Sequence, residues 1–141
     1  MNRHDLERKL STIATVLLRE KGHITFVDVF MKLGYLDSHD YESWRMRRVP
    51  FLEKAIKVNL GTINFIMKNV RRNSRDGHLK ESWTAYRSWG KGPKQCLRFS
   101  KSGNESIEKA YATHFLKKRL DPPKERGKEN GGDRSSGPAK E

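Results

Sequence analysis

Leu6, Leu10, Ile13 and Leu17 recur at spacings of four, three and four residues, with Val16 and Leu18 beside them and polar residues opposite. That period puts one apolar face on a helix over residues 3–21, and Gly22 supplies its stop. His23 and Ile24 read as a short extended step. Thr25, with Asp28 three residues on, is an N-cap pattern, and Phe26, Phe30 and Leu33 then line a second helix up to Gly34. Asp37 or Ser38 can cap a third helix carrying Tyr41 and Trp44. Pro50 breaks that run, biases Val49 to an extended form and opens a short helix with Leu52 and Ile56 inward. Asn59 caps the next helix, whose apolar stripe is Leu60, Ile63, Ile66, Met67 and Val70, ending near Asp76-Gly77.

The period then changes. Residues 83–89 (WTAYRSW) alternate and are rich in β-favouring side chains. Gly90 to Lys94 is a turn, and residues 95–100 (QCLRFS) form a second strand, so a late β-hairpin with a basic tip is predicted. Ser102 with Glu105 makes a capping box, with Asn104 as the competing cap, for a final helix over 105–119 with Ile107, Tyr111 and His114 or Phe115 inward. The expected fold is α+β: a helix-rich, winged-helix-like domain over residues 1–120 with one late hairpin. Residues 121–141 contain no Val, Ile, Leu, Met, Phe, Trp, Tyr or Cys, and the sequence predicts a disordered tail there.

Charge sharpens the picture. The 141 residues carry 30 Lys+Arg against 17 Asp+Glu, a formal net charge of +13. The tail's basic and acidic side chains cancel, so the whole excess sits on residues 1–120, where it can form a shaped cationic surface. One cysteine, Cys96, excludes an internal disulfide and fits a reducing compartment. The N-terminus has no apolar leader segment and no run is long enough to span a bilayer. A cytoplasmic location without membrane contact is therefore expected, with the oligomeric state left open.

Three basic constellations could carry function. On the helix after Asn59, Lys68, Arg71, Arg72 and Arg75 recur at helical spacing with Asn64 nearby. Arg and Lys contact phosphates, and Asn can read base edges. The same spacing also fits a solvated face whose cations complement the helix dipole. On the hairpin, Arg87, Lys91 and Lys94 interleave with aromatics, a composition that suits a wing on a phosphate backbone or a stacking surface. Trp83, Leu97 and Phe99 are read there as core, and Trp89 as the exposed aromatic. The third group is Arg45, Arg47 and Arg48; acids at 37, 40 and 42 crowd that helix's start and argue against its being the reader.

Catalytic signals are few. The five histidines show no metal-ligand spacing, and no cofactor, metal or catalytic residue is predicted. Arg72-Asn73 followed by His78 resembles the arginine–histidine signature of the HEPN ribonucleases, which would imply phosphate stabilisation by Arg72 and acid–base work by His78. The runs D-Y-x-x-W-R at 40–45, V-P-x-L-E at 49–53, L-R-F-S-K at 97–101 and I-E-K-A-Y at 107–111 resemble a family of small bacterial proteins, a likeness that covers most of residues 24–115 and implies a self-contained bacterial domain. It brings no activity, cofactor or site residue with it. The expected function is non-catalytic nucleic-acid binding, DNA ahead of RNA, through Asn64, Lys68, Arg71, Arg72, Arg75, Arg87, Trp89, Lys91 and Lys94. An interaction module docking an acidic protein partner is the alternative.

Overall fold

A computed structural model describes residues 2–117. The element order is α1 (Arg3–Lys21), β1 (His23–Ile24), α2 (Phe26–Leu33), α3 (Ser38–Arg45), a 3₁₀ turn (Leu52–Lys54), α4 (Leu60–Asp76), β2 (Lys80–Trp83), α5 (Glu105–Ala112) and β3 (Thr113–Leu116). The protein is thus helix-rich α+β, as the periodicity predicts. The predicted tail at 121–141 lies outside the described residues.

The helix ends follow local chemistry. Thr25 accepts the Asp28 amide, Asp37 the Asp40 amide and Asn59 the Thr62 amide, each satisfying a first-turn donor. Gly22 and Gly34 end α1 and α2 at φ 78° and 83°, a left-handed conformation that a side chain resists. Leu6, Leu10, Ile13 and Leu17 are all buried, and α1 packs them against α4, whose own inward face is Ile63, Ile66, Met67 and Val70. Leu60, expected in that stripe, is 55% exposed at the first position of α4.

The last third differs from expectation. The predicted strands over 83–89 and 95–100 make one isolated bridge, Arg87 to Cys96, with backbone bonds from Ser88 to Gln95 and from Leu97 to Tyr86. The ordered antiparallel pair is β2 with β3, in register Lys80 to Leu116 and Trp83 to Thr113, and β3 also pairs with β1, giving the sheet order β1-β3-β2. The predicted helix over 105–119 therefore stops at Ala112. Asn104, not Ser102, caps it by accepting from the Ser106 and Ile107 amides. From Thr113 on, the chain is the central strand, where ladder bonds on both sides outweigh weak helix propensity. Phe115 is buried there, edge-on to Phe26 at 5.9 Å.

Segment 98–101 is the keystone of this half. The Trp44 indole and the Leu52 amide both donate to the Arg98 carbonyl, and the Glu53 amide donates to Phe99. Glu108 accepts from the Phe99 amide (2.8 Å), the Ser100 amide (2.7 Å) and the Ser100 hydroxyl (2.5 Å). Glu53 accepts from the Lys101 amide and from Tyr111 Oη at 2.6 Å. Burial, and then this bond to a carboxylate, push the Tyr111 phenol well above its ordinary pKa. Trp44, Tyr86, Phe99 and Tyr111 pack face and edge around the segment. They occupy the core position expected for Trp83, which is 57% exposed at the end of edge strand β2, while Leu97 is half-buried and Phe99 is core as predicted. Ile107, expected inward, is also exposed. The helix expected from Pro50 is reduced to the 3₁₀ turn, although Leu52 and Ile56 are buried as predicted.

Candidate nucleic-acid interface

At about 100° per residue, Asn64, Lys68, Arg71, Arg72 and Arg75 fall within an arc of roughly 100° on α4, opposite its buried stripe. All are exposed except Arg71, which is half-buried. Asn64, Lys68 and Arg72 line a hollow of about 360 Å³ together with Arg3 and Phe65. The Arg3 guanidinium sits 4.6 Å from the centre of the Phe65 ring, so α1 adds a cation to the α4 face. Arg3 had no signal in the sequence, because only the α1–α4 packing brings it there.

Two of these arginines have carboxylate neighbours. Arg72 donates to Glu7 on α1 at 3.2 Å, and the Arg75 guanidinium lies 3.5 Å from Glu81 on β2. The Asn69 amide also donates to Glu7. Both ion pairs are more than half exposed on the arginine side, and such pairs contribute only about 0–1 kcal/mol, so a phosphate can exchange for either carboxylate. Lys68 and Arg71 make no ion pair among the described residues. Glu53 and Glu108 bond neutral donors inside the fold and form no ion pair with a surface cation among the described residues.

Arg87, Trp89, Lys91 and Lys94 form a second group on the 84–98 loop. The loop is fastened to the end of α3: the Trp89 amide donates to the Arg45 carbonyl at 2.8 Å, and Arg45 Nη1 donates to the Arg87 carbonyl at 2.6 Å. The Arg45 guanidinium lies over Tyr86 and Trp89, 4.7 and 5.1 Å from their ring centres. Trp89 is 45% exposed and packs edge-on against Tyr41. Lys94 Nζ donates to the Gly90 carbonyl. Arg47 and Arg48 follow α3 directly and are exposed, so the third basic constellation joins the loop's cations. Arg47 holds φ 65°, a conformation that costs a non-glycine residue energy. Lys57 belongs to neither group; it pairs with Asp37 and Asp40. The Asp40 amide, then Lys57, hold the Asp37 carboxyl below its usual pKa.

No hydrogen bond, ion pair or shared hollow links the α4 group to the loop group among the described residues. Arg72 and His78 are not brought together either: Arg72 engages Glu7, and His78 lies in the turn beyond α4 at φ 57°. No group of three or more His, Cys, Asp or Glu side chains among the described residues could hold a metal ion. Among those residues no helix is long and apolar enough to cross a membrane. No protein-family model matches the chain, and no curated protein or solved structure matches it.

Proposed function

We propose that the protein binds nucleic acid without catalysis, DNA ahead of RNA, with the α4 face as its main contact and the 84–98 loop as a wing. The observation that carries this reading is the α4 surface, where four cations and one asparagine share a face and only two meet carboxylates, both weakly held. From Asn64 to Arg75 that face runs about 16 Å at 1.5 Å per residue. That matches about five base-pair steps of 3.4 Å, a short helix-sized footprint. The sheet order β1-β3-β2, with β1 between the first two helices, supports a winged-helix type of fold. What departs from it is the connection between β2 and β3, which contains the loop and α5 instead of a tight turn.

The loop group supports the wing role through Lys91, Lys94 and Arg87, exposed cations beside an aromatic ring. Titrating labelled duplex DNA, single-stranded DNA and RNA into the full chain at low salt tests the proposal. Salt-sensitive binding with duplex DNA tightest is expected. Absence of binding to all three would refute it and leave the cationic surface to an acidic protein partner.

A further inference from the structure

A cleft of about 410 Å³ opens between the end of α1, β1, the start of α2, α3, residues 84–86 and β3, apart from the α4 face. Two histidines 91 positions apart in the chain meet there. His23 on β1 and His114 on β3 stack with ring centroids 6.2 Å apart. His23 Nδ1 lies 3.1 Å from the Lys21 carbonyl, which can only accept, so that nitrogen carries a proton. His114 Nε2 lies 3.1 Å from Tyr86 Oη. Burial raises the Tyr86 pKa, so the phenol keeps its proton; a phenol that donates it to Nε2 leaves the His114 proton on Nδ1.

The charges around this pair come from separate elements. Lys21 ends α1, Arg45 ends α3, and Asp28 in the first turn of α2 is the one carboxylate lining the cleft; it is paired with Lys21 at 3.0 Å. Tyr41 shares the Arg45 wall, Val27 and Met31 add an apolar patch, and Thr25 and Thr84 add hydroxyls. With both imidazoles neutral the lining carries one net positive charge, from Lys21 and Arg45 against Asp28. A planar carboxylate is served by a single arginine fork. A phosphate monoester, with about −1.5 to −2 charge and three strong acceptor oxygens, suits donors arriving from several directions.

We infer that this cleft binds a nucleotide through its phosphate, with His23, His114 and Lys21 around the phosphoryl oxygens and the base against Tyr41 and Met31. The nucleotide can be free or the phosphorylated end of a strand. The Arg45 backbone and side chain also anchor the cationic loop, so a strand lying on that loop passes the cleft. Burial and the neighbouring His23 lower the His114 pKa, while Asp28 opposes them. A bound phosphate adds a negative charge beside the ring, so binding takes up a proton. Affinity then rises as the pH falls, by about tenfold for each unit by which the phosphate raises that pKa, until the phosphate itself protonates near about pH 6.

The test is calorimetric titration of the full chain with 5′-AMP, with adenosine, and with a short oligonucleotide with and without a 5′-phosphate, each at about pH 6 and about pH 8. The expected result is that the phosphorylated member of at least one pair binds about tenfold tighter or more, and tighter still at the lower pH. His23→Gln, which leaves the Tyr86–His114 bond in place, should remove about tenfold, the scale of one charge-assisted hydrogen bond. Arg45→Lys should weaken phosphate binding in the same direction. Preference for AMP marks a free nucleotide; preference only within the oligonucleotide pair marks a strand end. Equal affinity with and without phosphate in both pairs, or binding indifferent to pH and to His23→Gln, overturns the inference. Alanine at Lys68, Arg72 and Arg75 should leave AMP affinity unchanged, which separates this cleft from the α4 face.

Discussion

Glu7→Gln is expected to tighten DNA binding, an outcome that few surface substitutions produce. Glu7 accepts from Arg72 at 3.2 Å and from Asn69 at 3.1 Å, and its side chain is 39% exposed. Glutamine keeps an oxygen for the Asn69 amide and removes the charge that competes with a phosphate for Arg72. An exposed pair of this kind contributes about 0.2–1 kcal/mol, so stability should fall by no more than that. For a phosphate about 7 Å from the original carboxylate, repulsion is about 0.6 kcal/mol in water-like dielectric and larger near the protein surface. The gain should lie near 0.6–1.4 kcal/mol, about three- to tenfold in affinity. Arg72, released, should add up to about 0.9 to the slope of log K against log salt. Fluorescence anisotropy with a labelled duplex across a salt series measures both, with thermal unfolding as the control. Unchanged or weaker binding by a fully folded Glu7→Gln protein would refute the placement of phosphates on this face.

Three further predictions concern the frame that holds these surfaces. Glu108→Ala leaves the amides of Phe99 and Ser100, two buried residues, without acceptors and should cost about 3–5 kcal/mol in denaturant unfolding, since hydrogen bonds to charged groups contribute about 1.5–3 kcal/mol each and do not add fully; a loss under about 1 kcal/mol would contradict the keystone role of segment 98–101. His114 has its pKa lowered from 6.5, first by burial and then by His23. The unfolded chain therefore binds more protons below 6.5, and stability should be level above that pH and decline as the pH falls through it; melting temperatures across this range should show the decline, and His114→Gln should flatten it. Arg47→Gly relieves a left-handed arginine at φ 65°, so it should raise stability by about 0.5–1 kcal/mol while weakening DNA binding; a stability loss would mean that the arginine side chain holds the α3 end in place.

Much of the helical half was legible because its signals are local. The four–three–four spacing of α1, the Thr25, Asp37 and Asn59 caps and the glycines at 22 and 34 each act within one turn of the chain. The cations of α4 were legible for the same reason, since Lys68, Arg72 and Arg75 share a face in any helix. Residues 113–116 were not, because their structure is decided by pairing across about 90 residues. Thr113 to Leu116 continue a helical pattern, yet they bridge β1 and β2, and nothing between them announces the partner. Trp83 reads as core by its size alone; its exposure follows from an edge position that only the sheet order defines. The His23–His114 cleft stayed hidden for the same reason as β3.

The most direct measurement is the salt dependence of duplex-DNA affinity for the unaltered chain and for the Lys68→Ala, Arg72→Ala, Arg75→Ala triple variant. Each phosphate that is no longer neutralised reduces the slope by about 0.9, so the variant should bind more weakly with a slope smaller by about 2 to 3. Equal slopes and equal affinities for the two proteins would mean that α4 does not face the DNA.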